Sequence, residues 1–127
     1  MKVDAETAEK LRPWFEDFDM QSVALVDAWP TNVLVKHVLR QGAMTIAPFI
    51  FYGKARFTPG DPKSVALLAH ELKHIQQYRD MGHLGFFRRY LLDKAKNGFR
   101  YSKTLPLEKA AYELQASVLE GLTKNPN

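Results

Sequence analysis

The stretch Leu67-Leu68-Ala69-His70-Glu71-Leu72-Lys73-His74-Ile75-Gln76-Gln77-Tyr78 decides how this chain folds and what it can hold. With Val65 just upstream, the apolar positions Leu68, Leu72 and Ile75 recur at three- and four-residue spacing, the signature of one buried helix face. His70 and His74 lie one turn apart on another face, so two imidazoles can grip one metal ion. Glu71 stands beside that face, where a carboxylate can orient and deprotonate a water at the metal. Gln77 continues the histidine face. His-Glu-x-x-His occurs by chance in many helices, so its meaning rests on what surrounds it.

On the upstream side, Pro59-Gly60-Asp61-Pro62 is a loop that also prepares a helix start, with Asp61 as N-cap and Pro62 at the first position. The helix is expected over about 62–80, where Met81-Gly82 stops it and Gly82 suits a left-handed cap. Leu84 to Lys96 reads as a further helix with Phe87, Tyr90 and Leu91 available for burial. Tyr78, Phe86, Phe87 and Tyr90 read as core or pocket walls. Residues 99–104 form a basic, aromatic loop. Pro106 opens a last helix to about Leu122, before a frayed tail.

Closer to the N-terminus, Asp4 can cap a helix carrying Ala5, Ala8, Leu11 and Phe15, which Pro13 kinks or restarts. Ser22–Ala28 reads as a strand. Val33–Leu39 is ambiguous between strand and helix, and the i,i+4 pairs Leu34/Val38 and Val35/Leu39 favour a short helix. Ala43–Tyr52 reads as one strand, and Ala55–Thr58 as a second, short one.

Composition narrows the chemistry. The 127 residues suit one domain with a single core, and 46% hydrophobic and 25% charged residues are globular proportions. With no cysteine, disulfides, thiolate metal sites and a Cys nucleophile are excluded, so any metal must be held by His and carboxylate. No apolar run is long enough to span a membrane, and Met1 to Glu6 lacks a signal-peptide core. The expected location is therefore cytoplasmic, with export by a dedicated injection system compatible with the same features. The net charge of +4 is concentrated. Between Arg88 and Lys103, Arg88, Arg89, Lys94, Lys96, Arg100 and Lys103 face the single acid Asp93. Such a face could meet nucleic acid, an anionic membrane or an acidic partner. No base-stacking or groove-reading motif accompanies it, so the plainer reading is a solvated helix face.

A catalytic zinc usually takes three protein ligands. The candidates for the third are His37, His83, Glu108, Glu113 and Glu120. Glu108-Lys109-Ala110-Ala111 ranks first. A Glu in the first turn of the last helix can reach the metal, and the small Ala111 one turn on lets the two helices approach. His83 ranks second, although it falls beyond the helix stop, and Glu113 ranks third. His37 reads as a surface or satisfied histidine.

Thr45-Ile46-Ala47-Pro48-Phe49-Ile50-Phe51-Tyr52, the loop Phe57-Thr58-Pro59-Gly60-Asp61-Pro62, the helix quoted above and Leu107-Glu108-Lys109-Ala110-Ala111-Tyr112 together resemble the zincin-like core domain of extracellular contractile injection system proteins. Leu11-Arg12-Pro13-Trp14-Phe15 and Val23-Ala24-Leu25-Val26 are similar to its opening helix and strand. The resemblance implies an α+β fold of gluzincin type over residues 1–127, a small antiparallel sheet packed on an active-site helix and a glutamate helix. It also implies that Val33–Leu39 is helical. Carried over, His70, His74 and Glu108 become ligands of one zinc ion and Glu71 the general base. Tyr112 stands where many relatives have an Asp that orients a ligand histidine. Gln77 matches a family position that can hydrogen-bond near the site or cap buried backbone.

The implied activity is hydrolysis of a peptide or protein substrate, bound by strand addition to an exposed sheet edge, with Ala55–Thr58 as the candidate strand. His83, Tyr101 and Tyr112 are the candidate oxyanion donors. Two alternatives stand beside the metallopeptidase: a non-catalytic module of the same fold used for binding or assembly, and a basic protein that binds nucleic acid or an anionic surface through residues 88–103. Substrate and oligomeric state are not encoded in any motif.

Overall fold

A computed structural model describes residues 1–27, 43–53, 57–98 and 105–124. His37, Tyr101, the segment Val33–Leu39, residues 54–56 and the basic residues Arg100 and Lys103 lie outside the described residues.

The chain is α+β. Helix α1 spans Ala5–Leu11, and the Asp4 carboxylate caps it by accepting from the Thr7 amide and hydroxyl. Pro13 does restart the chain: Arg12–Trp14 is a 3₁₀ turn, because proline cannot donate to the preceding α-helical turn. The first strand, β1, is shorter than expected, Ala24–Val26, since Met20–Ser22 forms a second 3₁₀ turn capped by Asp19.

The segment expected to be one strand is a hairpin. Strand β2 (Ala43–Ile46) and strand β3 (Phe49–Tyr52) pair antiparallel about the turn Ala47-Pro48. Proline has no N–H for a ladder, so it falls in the turn. The sheet is mixed rather than antiparallel throughout. Its order is β1-β3-β2, and β1 runs parallel to the central β3 with Leu25 beside Ile50. Phe57 and Thr58 are not in a strand.

Helix α2 (Pro62–Lys96) begins as the sequence indicates, with the Asp61 side chain accepting from the Lys63 amide and Pro62 in its first turn. It is bent at Gly82, whose φ of 74° and ψ of 164° only glycine adopts readily. Residues before this elbow form the candidate active-site helix, and residues after it a separate arm. Leu68 and Leu72 are fully buried, with Val65 and Ile75 nearly so, against Leu25, Ile50, Phe15 and Leu11. On the arm, Phe86 is the buried aromatic and Phe87, 42% exposed, is a wall of the cleft described below, whereas Leu91 is exposed, contrary to expectation. The elbow at Gly82 folds the arm back so that the Phe86 ring stacks on Tyr78 at 3.9 Å, with the Phe87 ring edge-on to Tyr78 at 5.6 Å and Leu91 left outside.

The last helix, α3 (Pro106–Lys124), packs along α2. Ala111 is fully buried in that junction, the small residue that close approach requires. Near its other end, Gly121 abuts Trp14: a Cβ there would sit 2.9 Å from the indole. Among the described residues no helix is long and apolar enough to cross a membrane.

Candidate metal centre

The histidine face of α2 is buried beneath α3. His70, Glu71, His74 and Glu108 are each less than a tenth exposed. Glu108 Oε1 lies 2.7 Å from His74 Nε2 and 3.3 Å from His70 Nε2, so one carboxylate oxygen stands between the two imidazoles. Glu71 Oε2 is 4.0 Å from His70 Nε2. His70, Glu71 and His74 can bring one donor atom each within 4.8 Å of the others, so this group could hold a metal ion. Glu108 is closer to both rings than Glu71 is.

Each ring is held from behind. His74 Nδ1 lies 2.9 Å from Gln77 Oε1, and the Gln77 amide nitrogen donates to the Leu107 carbonyl over 3.1 Å. That second bond fixes which end of the amide faces the histidine, because only the nitrogen can donate. His74 therefore meets an acceptor at each ring nitrogen. Either both nitrogens carry protons, or Nε2 gives its lone pair to a cation. His70 Nδ1 lies 2.9 Å from Gln115 Oε1 in the same manner. With both Nδ1 atoms engaged, both Nε2 atoms converge beside one carboxylate, and two imidazoles with one carboxylate are a donor set that suits zinc.

The electrostatics match this arrangement. Burial alone would raise the Glu108 carboxyl, but hydrogen bonds from His70 and His74 and their charge hold it down at about 2. Burial would depress His74, yet the bond to Glu108 and the charges of Glu71 and Glu108 raise it above its ordinary value. Burial pushes the Glu71 carboxyl up, against the pull of His70 and His74.

A cleft of about 500 Å³ opens over these groups. Its floor holds His70, Glu71, His74 and Glu108, strand β2 forms one side, and Phe86, Phe87 and Tyr90 form part of its lining. Among the described residues strand β2 pairs only with β3, and its residues Ala43–Ile46 line the cleft; Ala55 and Arg56 of the expected edge Ala55–Thr58 lie outside the described residues. Two bonds fix β2 to α2: Thr45 Oγ1 donates to the Glu71 carbonyl over 3.3 Å, and the Tyr78 hydroxyl donates to the Thr45 carbonyl over 3.2 Å.

The remaining candidates divide. Tyr112 lies in the cleft, its ring edge-on to His70 with centroids 4.4 Å apart. His83 is placed elsewhere, with Nε2–H donating to the Ala47 carbonyl over 2.7 Å. Glu113 and Glu120 face solvent, beside Lys109 and Lys124. Gln115 was not singled out from sequence. Its signal was nonetheless available: Glu108, Tyr112 and Gln115 are spaced i, i+4, i+7, one stripe of α3.

A family model described as the eCIS core domain matches residues 2–82, well over half the chain. The chain belongs to the eCIS core domain family. The matched part of this eCIS core domain ends at the elbow, Gly82. It contains the sheet and the His-Glu-x-x-His helix, while the arm, Glu108 and Gln115 lie beyond it. No curated protein and no solved structure matches this eCIS core domain.

Proposed function

We propose that this eCIS core domain is a zinc-dependent metallopeptidase of gluzincin type, with His70, His74 and Glu108 holding the ion and Glu71 serving as general base. The observation that carries this reading is the convergence of both imidazole Nε2 atoms on Glu108 while Gln115 and Gln77 occupy the two Nδ1 atoms. Such a set is preorganised for a cation, and a merely structural histidine needs no such double support.

A zinc ion held there supplies the Lewis acidity that makes an amide carbonyl electrophilic and a water nucleophilic near neutral pH. Glu71, raised by burial, takes the proton from the attacking water and passes it to the departing amine nitrogen. The β2 edge offers backbone groups to an extended peptide, and Thr45 keeps that edge in fixed register with Glu71. Tyr112, whose ring packs edge-on against His70 in the cleft, is the tyrosine we assign to the oxyanion.

The non-catalytic alternative has one observation in its favour. The Tyr78 hydroxyl already occupies the Thr45 carbonyl on the edge a substrate would use. Metal analysis of the purified protein, together with cleavage of a broad peptide library by the native chain and by Glu71→Gln, separates the two. Bound zinc with cleavage lost in Glu71→Gln supports the peptidase. Zinc without any cleavage supports the binding module, and failure to take up zinc at saturation removes both.

A further inference from the structure

We propose that the outer face of the α2 arm, joined with the β2–β3 turn, docks this protein onto an anionic lipid bilayer. Among the described residues, seven large apolar side chains are exposed, and six of them gather here. Ile46 and Phe49 flank the hairpin turn; Leu84, Phe87, Leu91 and Leu92 lie on the arm. The His83 bond to the Ala47 carbonyl fastens the turn to the first residues of the arm, so the two groups adjoin. Leu84, Phe87 and Leu91 follow i, i+3, i+7 spacing, and Leu92 lies one turn beyond Arg88. Leu84, Leu91 and Leu92 occupy the side of the helix away from buried Phe86, and Phe87 borders that side where the arm meets the cleft. Leu84 is 83% exposed and Leu91 59%, too much for a face that the fold itself covers. Soluble monomers seldom collect their large exposed apolar residues in this way, and such patches mark interaction surfaces.

The charges indicate what covers the face. Arg88, Arg89 and Lys96 are exposed around it, and Lys94 leans over the Tyr90 ring. Asp93 is the sole acid between Leu84 and Lys96, and Arg89 takes its carboxylate at 3.0 Å. A second copy laid symmetrically on this face would bring those cations against themselves, which opposes a dimer. An acidic amphipathic protein helix would need a groove to receive its apolar side, whereas these leucines stand outward from a helix face. A bilayer interface meets both demands: Leu and Phe side chains enter the headgroup–acyl boundary while flanking Lys and Arg meet anionic headgroups. The domain would lie on the membrane, since no described helix could span it. Ile46 and Phe87 also line the cleft, so its mouth would open at the membrane border.

The test mixes the full chain with sedimentable vesicles, either phosphatidylcholine alone or phosphatidylcholine with roughly 30% phosphatidylglycerol. The protein is expected to sediment with the anionic vesicles only, less so as salt rises. The double change Leu84→Ser with Leu91→Ser, at exposed positions away from the cleft, should lower partitioning by about tenfold or more. Unchanged circular dichroism and zinc uptake would show that this variant is folded. An indole introduced by Leu84→Trp should shift its emission to the blue on anionic vesicles. No enrichment on anionic vesicles overturns the proposal, as does binding that survives the double change with the new indole unshifted. A solution dimer dissolved by the double change assigns the face to a second copy instead. Retention on an immobilised acidic amphipathic peptide, without vesicle binding, assigns it to a protein partner.

Discussion

Gln77 holds the ring of His74 from one turn away: its Oε1 lies 2.9 Å from Nδ1, and its amide nitrogen is spent on the Leu107 carbonyl. One side chain thus ties together the tautomer of a candidate metal ligand and the start of the helix that carries Glu108. The two candidate ligands on different helices are positioned by a shared, buried amide.

Replacing that amide separates its two roles. In Gln77→Leu, His74 loses its orienting partner and zinc affinity should fall roughly 10–100-fold. The Leu107 carbonyl, already inside the turn of α3, loses its second donor, at a cost of about 0.5–1.5 kcal/mol. Competition with a chelator measures the first effect and urea unfolding of the metal-free protein the second.

Gln115→Ala tests the equivalent support behind His70. Gln115 is half-buried and bonds the His70 ring alone among the described residues. Zinc affinity should drop by about tenfold, with a smaller loss of stability than Gln77→Leu produces. Equal affinity in native and variant protein, by the same chelator competition, would remove Gln115 from the centre.

Zinc should change how the stability of the protein depends on pH. Glu108 is held below its ordinary 4.5, so its contribution to stability is complete above that value and lost as pH falls toward about 2. His74 is raised above 6.5, so its contribution is complete below 6.5 and lost as pH rises through its folded value. Glu71 is also raised, which adds a further loss as pH climbs above 4.5. The metal-free protein should therefore melt highest between these two ordinary values, 4.5 and 6.5, and lower at alkaline pH. Zinc competes with protons for the same nitrogens, so the gain in Tm on adding zinc should grow over that same rise in pH. Calorimetric scans with and without zinc give both slopes.

Two glycines should be intolerant for different reasons. At Gly82 nothing lies near a new Cβ, but φ is 74° and ψ 164°, so Gly82→Ala should cost about 1–3 kcal/mol in backbone strain alone. At Gly121 the backbone is helical and the cost is steric. A Cβ would press on Trp14 at 2.9 Å, and Gly121→Ala should destabilise by about 1–3 kcal/mol. Trp14→Phe combined with Gly121→Ala should recover part of the second loss, whereas combined with Gly82→Ala it should recover none of the first. Urea midpoints of the single and double variants decide the matter.

Much of this molecule is written locally. Asp4 and Asp61 cap the helices that follow them, Pro13 and Pro62 take the positions where a missing N–H is harmless, and Leu68 and Leu72 mark the core face. These signals act within one or two turns of helix, so a reading of neighbours recovers them. The i,i+4 pair His70 and His74 and the Glu-x-x-Ala of α3 are legible for the same reason.

What the sequence did not decide involves partners far apart in the chain. The parallel pairing of Leu25 with Ile50 joins segments whose connection carries no local mark of strand direction, and the mixed sheet follows from it. The apolar run Ala43–Tyr52 satisfies a strand pattern throughout, and only cross-strand pairing shows that it folds back at Ala47-Pro48. Periodicity marks Phe86, Phe87, Tyr90 and Leu91 as equally apolar, while stacking on Tyr78 selects Phe86 for burial and leaves the leucines outside. The sequence by itself determined which side chains could hold a metal and on which helices they ride. Tertiary packing alone decided that Gln115 reaches His70 and that the Gln77 amide is pinned by the Leu107 carbonyl, because a hydrogen bond across two helices depends on how closely the helices approach, and no local pattern encodes that distance.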